Sequence, residues 1–489
     1  MDNVFFHMDL LSSLFIFLVG CGVLAVVLVS AHNRWRSSDA VSRNYPAVAW
    51  LRPLSEKVGE FYRRYISFAD HEELPFDRAT REWVYEATKG EEDIRGFGTS
   101  LSVQRRAVTL RNAVFPLDRE EAVEPPVLTI GPSCRTPYRP PSFFNMSAMS
   151  FGAISAPAAE ALALGAASGG CWLNTGEGGL APQHLKGDPD ILFEIGTAKY
   201  GVRDQNGNLD EEKLRELAAR PQIKMFELKL SQGAKPGQGG ILPARKVTRD
   251  IASIRNIPVG QDSISPNRHR EVSNTKELLA FLSYLRDITG KPVGFKTALG
   301  DTGWIEELCQ TIHENGIEHA PDFITVDGAE GGSGAAPMTL MDNVALSIRT
   351  ALPRTAEILT AYELDERVRL IASGKLVTAG DVAWAMAAGA DYVVSARGFM
   401  FAIGCIQAMR CHTDRCPSGV ATHDRDLQRA LKPEDKKDGV ANYVRRIREG
   451  VGVIANSCGV RHCRELTPSH IAEQRWPAGI ATDGARNGA

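Results

Sequence analysis

The chain has 489 residues, 43% hydrophobic and 24% charged, with a formal net charge of −3 at neutral pH. That length suits one large α/β barrel or two to three smaller domains, and the near-neutral charge leaves no electrostatic case for nucleic acid. The nine cysteines are an odd set with three close together, which argues against a disulfide framework in a chain this size.

Residues 10–31 carry no charge, and about 20 apolar residues span a bilayer. Asp2 and Asp9 precede this stretch without any Lys or Arg, while Arg34, Arg36 and Arg43 follow it. The positive-inside bias predicts a single-pass helix in the lipid bilayer of the cell membrane, with the bulk of the chain cytoplasmic. A signal peptide cleaved near Ser30-Ala31 is the rival reading, and it lacks the usual basic n-region. Residues 32–142 are mixed, with helical stretches over 54–65 and 78–88 and a linker rich in proline (Pro125, Pro126, Pro132, Pro137, Pro140, Pro141).

From residue 143 to 426, short apolar runs alternate with helical segments. The runs are 143–149, 171–175, 223–230, 257–264, 292–297, 322–327, 368–373 and 392–395. Helix-like stretches fall at 157–167, 247–254, 274–288, 303–315, 343–351 and 379–388. This alternation predicts a parallel sheet with both faces covered, and eight units predict an α/β (β/α)8 TIM barrel. An open doubly wound sheet uses the same grammar. The long interval between 175 and 223 is then an insertion at the barrel top, and 427–489 a helical extension and tail.

Barrel sites form at the C-terminal strand ends, with phosphate commonly held after the seventh and eighth strands. Ser373-Gly374-Lys375 follows the seventh run, Ser395-Ala396-Arg397-Gly398 the eighth, and Gly331-Gly332-Ser333-Gly334 the sixth. Glycines let backbone N–H groups reach phosphate oxygens, and Arg397 adds a forked cation. The alternative is three ordinary βα turns. Cys405, Cys411 and Cys416 stand in C-x5-C-x4-C with Pro417 after the last. Three thiolates suit an iron–sulfur cluster, a zinc site completed by His412, or merely buried thiols. Lys229, Gln232 and Lys235 follow a strand end, where two lysines suit an anionic ligand; solvated lysines are the commoner case.

Five motifs then carry a resemblance: Met149-Ser150-Phe151-Gly152, Asn174-Thr-Gly-Glu177-Gly-Gly179, the run 229–240, Gly331 through Pro337, and Gly404-Cys405 through Ala421. In this order they resemble the synthase domain of the glutamate synthase family. The front part, with Glu73-Leu-Pro-Phe-Asp-Arg78 and Trp83-Val-Tyr85, is similar to shorter membrane-anchored glutamate-synthase-like proteins. The resemblance implies a barrel that binds FMN and 2-oxoglutarate, a [3Fe-4S] cluster on Cys405, Cys411 and Cys416, and L-glutamate as product. It implies Met149 and Ser150 against flavin and substrate, Lys296 near the flavin ring, and Lys229, Gln232, Lys235 and Arg255 around FMN and the substrate carboxylates. Glu177 would line the site. The family's Gln after Gly-Gly is Ile241 here, Pro-Pro-His-His becomes Pro266-Asn-Arg-His269-Arg, and the phosphate-loop Asp-Gly-Gly becomes Ala372-Ser-Gly374. These departures bear on substrate identity: a related keto or amino acid, or electron transfer within a membrane complex, are the alternative functions. The chain runs from Met1-Asp2 into the apolar segment, leaving no room for the family's glutaminase domain, and carries no strand–GxGxxG–helix signature. Ammonia, from solution or a separate amidotransferase, and electrons, from a ferredoxin-like carrier or reductase subunit, are therefore expected from outside.

Overall fold

The computed structural model describes residues 2–36, 71–90 and 108–473, with scattered positions between them. The expected helix at 54–65 lies largely outside the described residues. Two units are distinguished, Met1–Ala79 and Thr80–Ala489. The first holds the helix Asp2–Arg36. Its stretch Leu11–His32 buries nothing and is long and apolar enough to cross a membrane, a test that a signal sequence also passes.

The second unit is built on eight parallel strands: β1 (Phe144–Met146), β2 (Leu173–Asn174), β3 (Ile191–Ile195), β4 (Ile223–Lys229), β5 (Val293–Thr297), β6 (Phe323–Asp327), β7 (Arg369–Ser373) and β8 (Tyr392–Ser395). Hydrogen-bonded neighbours run β2-β3-β4-β5-β6-β7-β8-β1. The Met146 N–H donates to Trp172 O at 3.1 Å, and the Trp172 N–H to Asn145 Oδ1 at 3.0 Å. These two bonds span the β1–β2 seam and nearly close the predicted TIM barrel. Every residue of β3, β5 and β6 is buried, as strands covered on both faces require.

One strand differs from expectation. The run 257–264 is not in the barrel: only Ser263–Ile264 is strand, paired antiparallel with Ile241–Leu242. Pro258 and Gly260 interrupt it, and Val259 and Ile264 are 56% and 66% exposed. The third barrel strand is Ile191–Ile195, inside the interval expected to be an insertion. Its fourth residue, Glu194, obscured an otherwise apolar five-residue run. Because one strand replaces another, the sixth, seventh and eighth strands keep their numbers, and so do the loops after them.

Helices cover the outside, with ends that follow local chemistry. Asn274 caps Thr275–Thr289 by accepting the Glu277 N–H at 2.9 Å, and Gly290 closes it at φ +70°. Ser155 and Gly170 bound Ala156–Gly169 in the same way. The helix expected at 343–351 runs instead over Ile348–Ala361 and carries Pro353 inside it. The long helix Pro433–Ser457 packs on Ala156–Gly169, where a methyl group at Gly165 would stand 2.4 Å from the Val440 side chain. Its Tyr443 is fully buried against Phe144 and Phe399 and donates to Val377 O at 2.7 Å.

Candidate active site

At the C-terminal end of β4, Lys229 Nζ donates to Glu177 Oε1 at 2.9 Å and to Gln232 Oε1 at 2.5 Å. Glu177 sits in a cage with no room for side chains. A methyl group at Gly240 would lie 2.5 Å from its Oε1, one at Gly196 2.6 Å from its Cβ, and one at Gly176 2.7 Å from Ser150 Oγ. The glycines around Glu177 therefore bring three loops onto one carboxylate. Burial opposes its charge, but Lys229, then Lys235 and Lys296, hold the carboxyl down at about 2. Lys235 is 3% exposed and makes no ion pair or side-chain hydrogen bond among the described residues. Burial, against the pull of Glu177, lowers its amine below the usual lysine range.

Deeper on the barrel axis lies a polar layer. Lys296 on β5 is ion-paired with Glu194 on β3, and its Nζ is 3.8 Å from Glu227 Oε1 on β4. Asn174 donates to Glu227 Oε1 at 2.9 Å and Thr325 to Oε2 at 2.6 Å. Burial pushes the Glu227 carboxyl up, Lys296 pulls it down and Glu194 pushes it up again. Glu194 and Glu227 escaped the sequence reading because each sits inside an apolar run. A lone carboxylate within each of these runs was the only signal in the sequence.

The three glycine loops converge on Asp327, at the end of β6. It accepts the Gly233 N–H at 2.7 Å and the Ser373 hydroxyl at 2.8 Å. Methyl groups at Gly331 and Gly332 would meet Asp327 Oδ2 at 2.6 Å and Arg397 Nε at 2.9 Å, and one at Gly374 would meet Gly328 N at 3.0 Å. Gln232 Nε2 donates to Gly332 O at 3.3 Å, joining this cradle to the Lys229 side. Ser333 and Gly334 follow in the same loop, where the Ser333 hydroxyl donates to Ala335 O at 2.9 Å. Arg397 donates to Glu330 O. Burial lowers its guanidinium to about 10, against the pull of Asp327 and Glu330. Lys375 holds a left-handed φ of 58° next to Gly374. Ser395 is buried, its carbonyl accepting the Ser147 N–H, and Ala396 and Gly398 flank the start of the helix Arg397–Ala402.

Met149 is buried on the loop after β1, its backbone against Gly176. Arg255 lies within electrostatic reach of Glu177 and is held by the protein. Its Nη2 donates to Phe151 O at 3.0 Å and its Nη1 to Ser263 Oγ at 3.1 Å, with the guanidinium over the Tyr200 ring. Both terminal nitrogens are thus occupied by protein, and only Nε is without a partner.

Cys405, Cys411 and Cys416 lie on one loop after β8 and are free thiols. Burial pushes the Cys405 thiol up to about 12, and the neighbouring Cys411 and Cys416 add to this. Among the described residues, no group of three His, Cys, Asp or Glu side chains is gathered tightly enough to hold a metal ion. The Tyr85 hydroxyl donates to Cys405 O at 2.6 Å. Lys246, absent from the sequence-based set, donates to Ala153 O, Cys411 O and Ala421 O at 3.0, 3.2 and 3.3 Å, tying this loop to the one after β1. Nothing in its local sequence marks it.

A family model described as a conserved region in glutamate synthase matches residues 89–461. The chain is 37% identical to the glutamate synthase large subunit-like protein YerD of Bacillus subtilis, over 96% of this chain and 97% of that one. It is 32% identical to the archaeal glutamate synthase [NADPH] of Archaeoglobus fulgidus, over 65% of this chain but only 59% of that one. Among solved structures, the flavin-binding domain of baker's yeast flavocytochrome b2 aligns at a TM-score of 0.47 and 11% identity, over 84% of each chain. With a family model covering most of its length and a near-full-length relative at this identity, the chain belongs to the glutamate synthase family of oxidoreductases.

Proposed function

We propose that the chain is an FMN-dependent oxidoreductase of the glutamate synthase type. It would form L-glutamate from 2-oxoglutarate and ammonia supplied from outside. The observation that carries this reading beyond the family is Lys235, a buried lysine with no acid in contact among the described residues, beside the Glu177–Lys229 pair. A buried charge is stable only with a counter-charge, and a substrate carboxylate provides one.

The residues present fit FMN. Gly331, Gly332 and Gly374 let three loops pack closely around Asp327 and Arg397, where glycine backbone N–H groups and the Arg397 guanidinium are the groups that would hold a phosphate. FMN, when bound, supplies the hydride chemistry that an imino acid needs. The chain's own groups would bind and orient. Lys235 and Ser150 hold a substrate carboxylate, and Arg255 supports the Phe151 loop from behind. Glu177, held ionised at about 2, is no proton donor at neutral pH and instead orients Lys229. Lys296 contributes a fixed positive charge, and Met149 helps exclude water. Cys405, Cys411 and Cys416 would hold a [3Fe-4S] cluster fed by a ferredoxin-like carrier or a reductase subunit. The N-terminal helix would anchor the catalytic unit on the cytoplasmic side of the cell membrane.

The deciding experiment is to photoreduce the anaerobically purified protein and add 2-oxoglutarate with ammonium. Rapid flavin reoxidation with glutamate as product is expected; a colourless preparation overturns the reading. Arg397→Ala should weaken FMN binding by about 1.5–3 kcal/mol, the scale of a hydrogen bond to a charged group. Ile241, 40% exposed on the short hairpin, favours a second reading in which a different keto acid is the substrate. Reoxidation by that acid and not by 2-oxoglutarate would select it.

A further inference from the structure

We propose that Glu194 and Glu227 form a proton-binding site on the barrel axis, sharing one proton at neutral pH and together positioning Lys296 and setting the charge around it. The place of Lys296 beside a flavin rests on the function proposed above; the shared proton does not.

The geometry comes from strand register. Glu194 and Glu227 are paired neighbours on β3 and β4, both approach the Lys296 ammonium, and each is 1% exposed. Lys296, 5% exposed, reaches both from β5. The groups around them come from every adjoining strand. Asn174 on β2 and Thr325 on β6 are neutral donors to Glu227. Asp327 on β6 is occupied by Gly233, Ser373 and the charge of Arg397. Lys229 on β4 is committed to Glu177, and Lys235 lies on that side too.

Two carboxylates therefore face one ammonium, while Lys229 and Lys235 lie on the Glu177 side and Arg397 lies beside Asp327. Were all three ionised, the barrel centre would bury an excess negative charge, which is costly without further compensation. One proton between the carboxyls removes that excess, as in other sites where paired carboxylates cannot both ionise. Burial pushes Glu227 up, in keeping with this arrangement. The protonated cluster sums to zero charge. Once deprotonated it carries −1 and opposes any further negative charge placed near Lys296. The midpoint potential of a flavin held there should then fall as pH rises through the titration of the pair, more steeply than without it.

Infrared difference spectroscopy on the full-length protein, between about pH 5 and about pH 9, reads the proton directly. A protonated-carboxyl band is expected at neutral pH, lost at alkaline pH, and missing from Glu227→Gln throughout. That variant mimics the protonated pair and leaves the Glu194–Lys296 contact, so its flavin potential should lose the extra dependence on pH. Glu194→Gln serves as the second variant if Glu227→Gln does not fold. The proposal is overturned if the wild type shows no such band, or if the band survives unchanged in both variants. A potential whose pH dependence is the same in wild type and Glu227→Gln overturns the electrostatic role. A colourless protein that still shows the band would sink the flavin function and leave the proton site standing.

Discussion

Glu177, Lys229 and Lys235 share one wall of the site, yet each is held differently, and substitutions should separate them. Glu177 is depressed from an ordinary 4.5 to about 2, despite burial, by Lys229 and the lysines beyond it. That corresponds to about 3 kcal/mol of stability at neutral pH. Because the folded carboxyl is the more acidic, this contribution is complete above about 4.5 and is lost as pH falls toward 2. Glu177→Gln should therefore unfold earlier in urea than wild type at pH 7, with the gap narrowing near pH 3; a gap that stays constant counts against the ion pair. Lys229→Met strands Glu177 without its partner and should cost about 3–5 kcal/mol. Lys235→Met leaves no acid stranded in contact, so its melting temperature should hold or rise. Its affinity for 2-oxoglutarate should fall about 10- to 100-fold, measured by titration calorimetry, since a hydrogen bond to a charged group is worth about 1.5–3 kcal/mol.

Secondary-structure elements meet in this site through loops at close quarters. A methyl group at Gly233 would stand 1.7 Å from Gly328 O, so the loops after β4 and β6 can lie together only because that position has no side chain. Gly237, a few residues on, has nothing within 4 Å of the same methyl and differs only in its φ of +72°. Gly237→Ala should thus cost about 1 kcal/mol of backbone strain. Gly233→Ala must move backbone and should cost about 3 kcal/mol, the upper end of the overpacking range, with loss of flavin retention. Thermal melts and the flavin content of the two variants make the comparison. Equal melting temperatures would show that the loops are free to separate.

Across the whole molecule, the N-terminal helix and the cysteine loop make separable claims. Leu11–His32 has the length and composition of a membrane span. Full-length protein should therefore resist carbonate extraction, and a chain lacking residues 1–34 should be soluble and still yellow. Uncleaved full-length protein in the soluble fraction would exclude the anchor. Replacing Cys405, Cys411 or Cys416 by Ser should abolish bound iron and acid-labile sulfide while FMN stays. Stoichiometric FMN with zinc, and no iron in wild type, would make the loop a structural zinc site instead.

What the sequence determined by itself is what adjacent residues encode. The alternation of apolar runs and helices specified the parallel barrel, because strands covered on both faces must be short and apolar. Glycine clusters at strand ends, the Lys229–Lys235 run and the cysteine spacing singled out the candidate residues, since glycine and charge are costly unless used. The tertiary structure alone decided which runs pair. It put Ile191–Ile195 into the barrel in place of 257–264, because burial depends on neighbours hundreds of atoms away along the chain and not on local pattern. It also decided which charges meet. Glu194, Glu227 and Lys296 are 33 and 69 residues apart in sequence and meet only because parallel pairing sets Glu194 opposite Glu227 and puts Lys296 two residues beyond Gly294, the partner of Glu227 on the next strand.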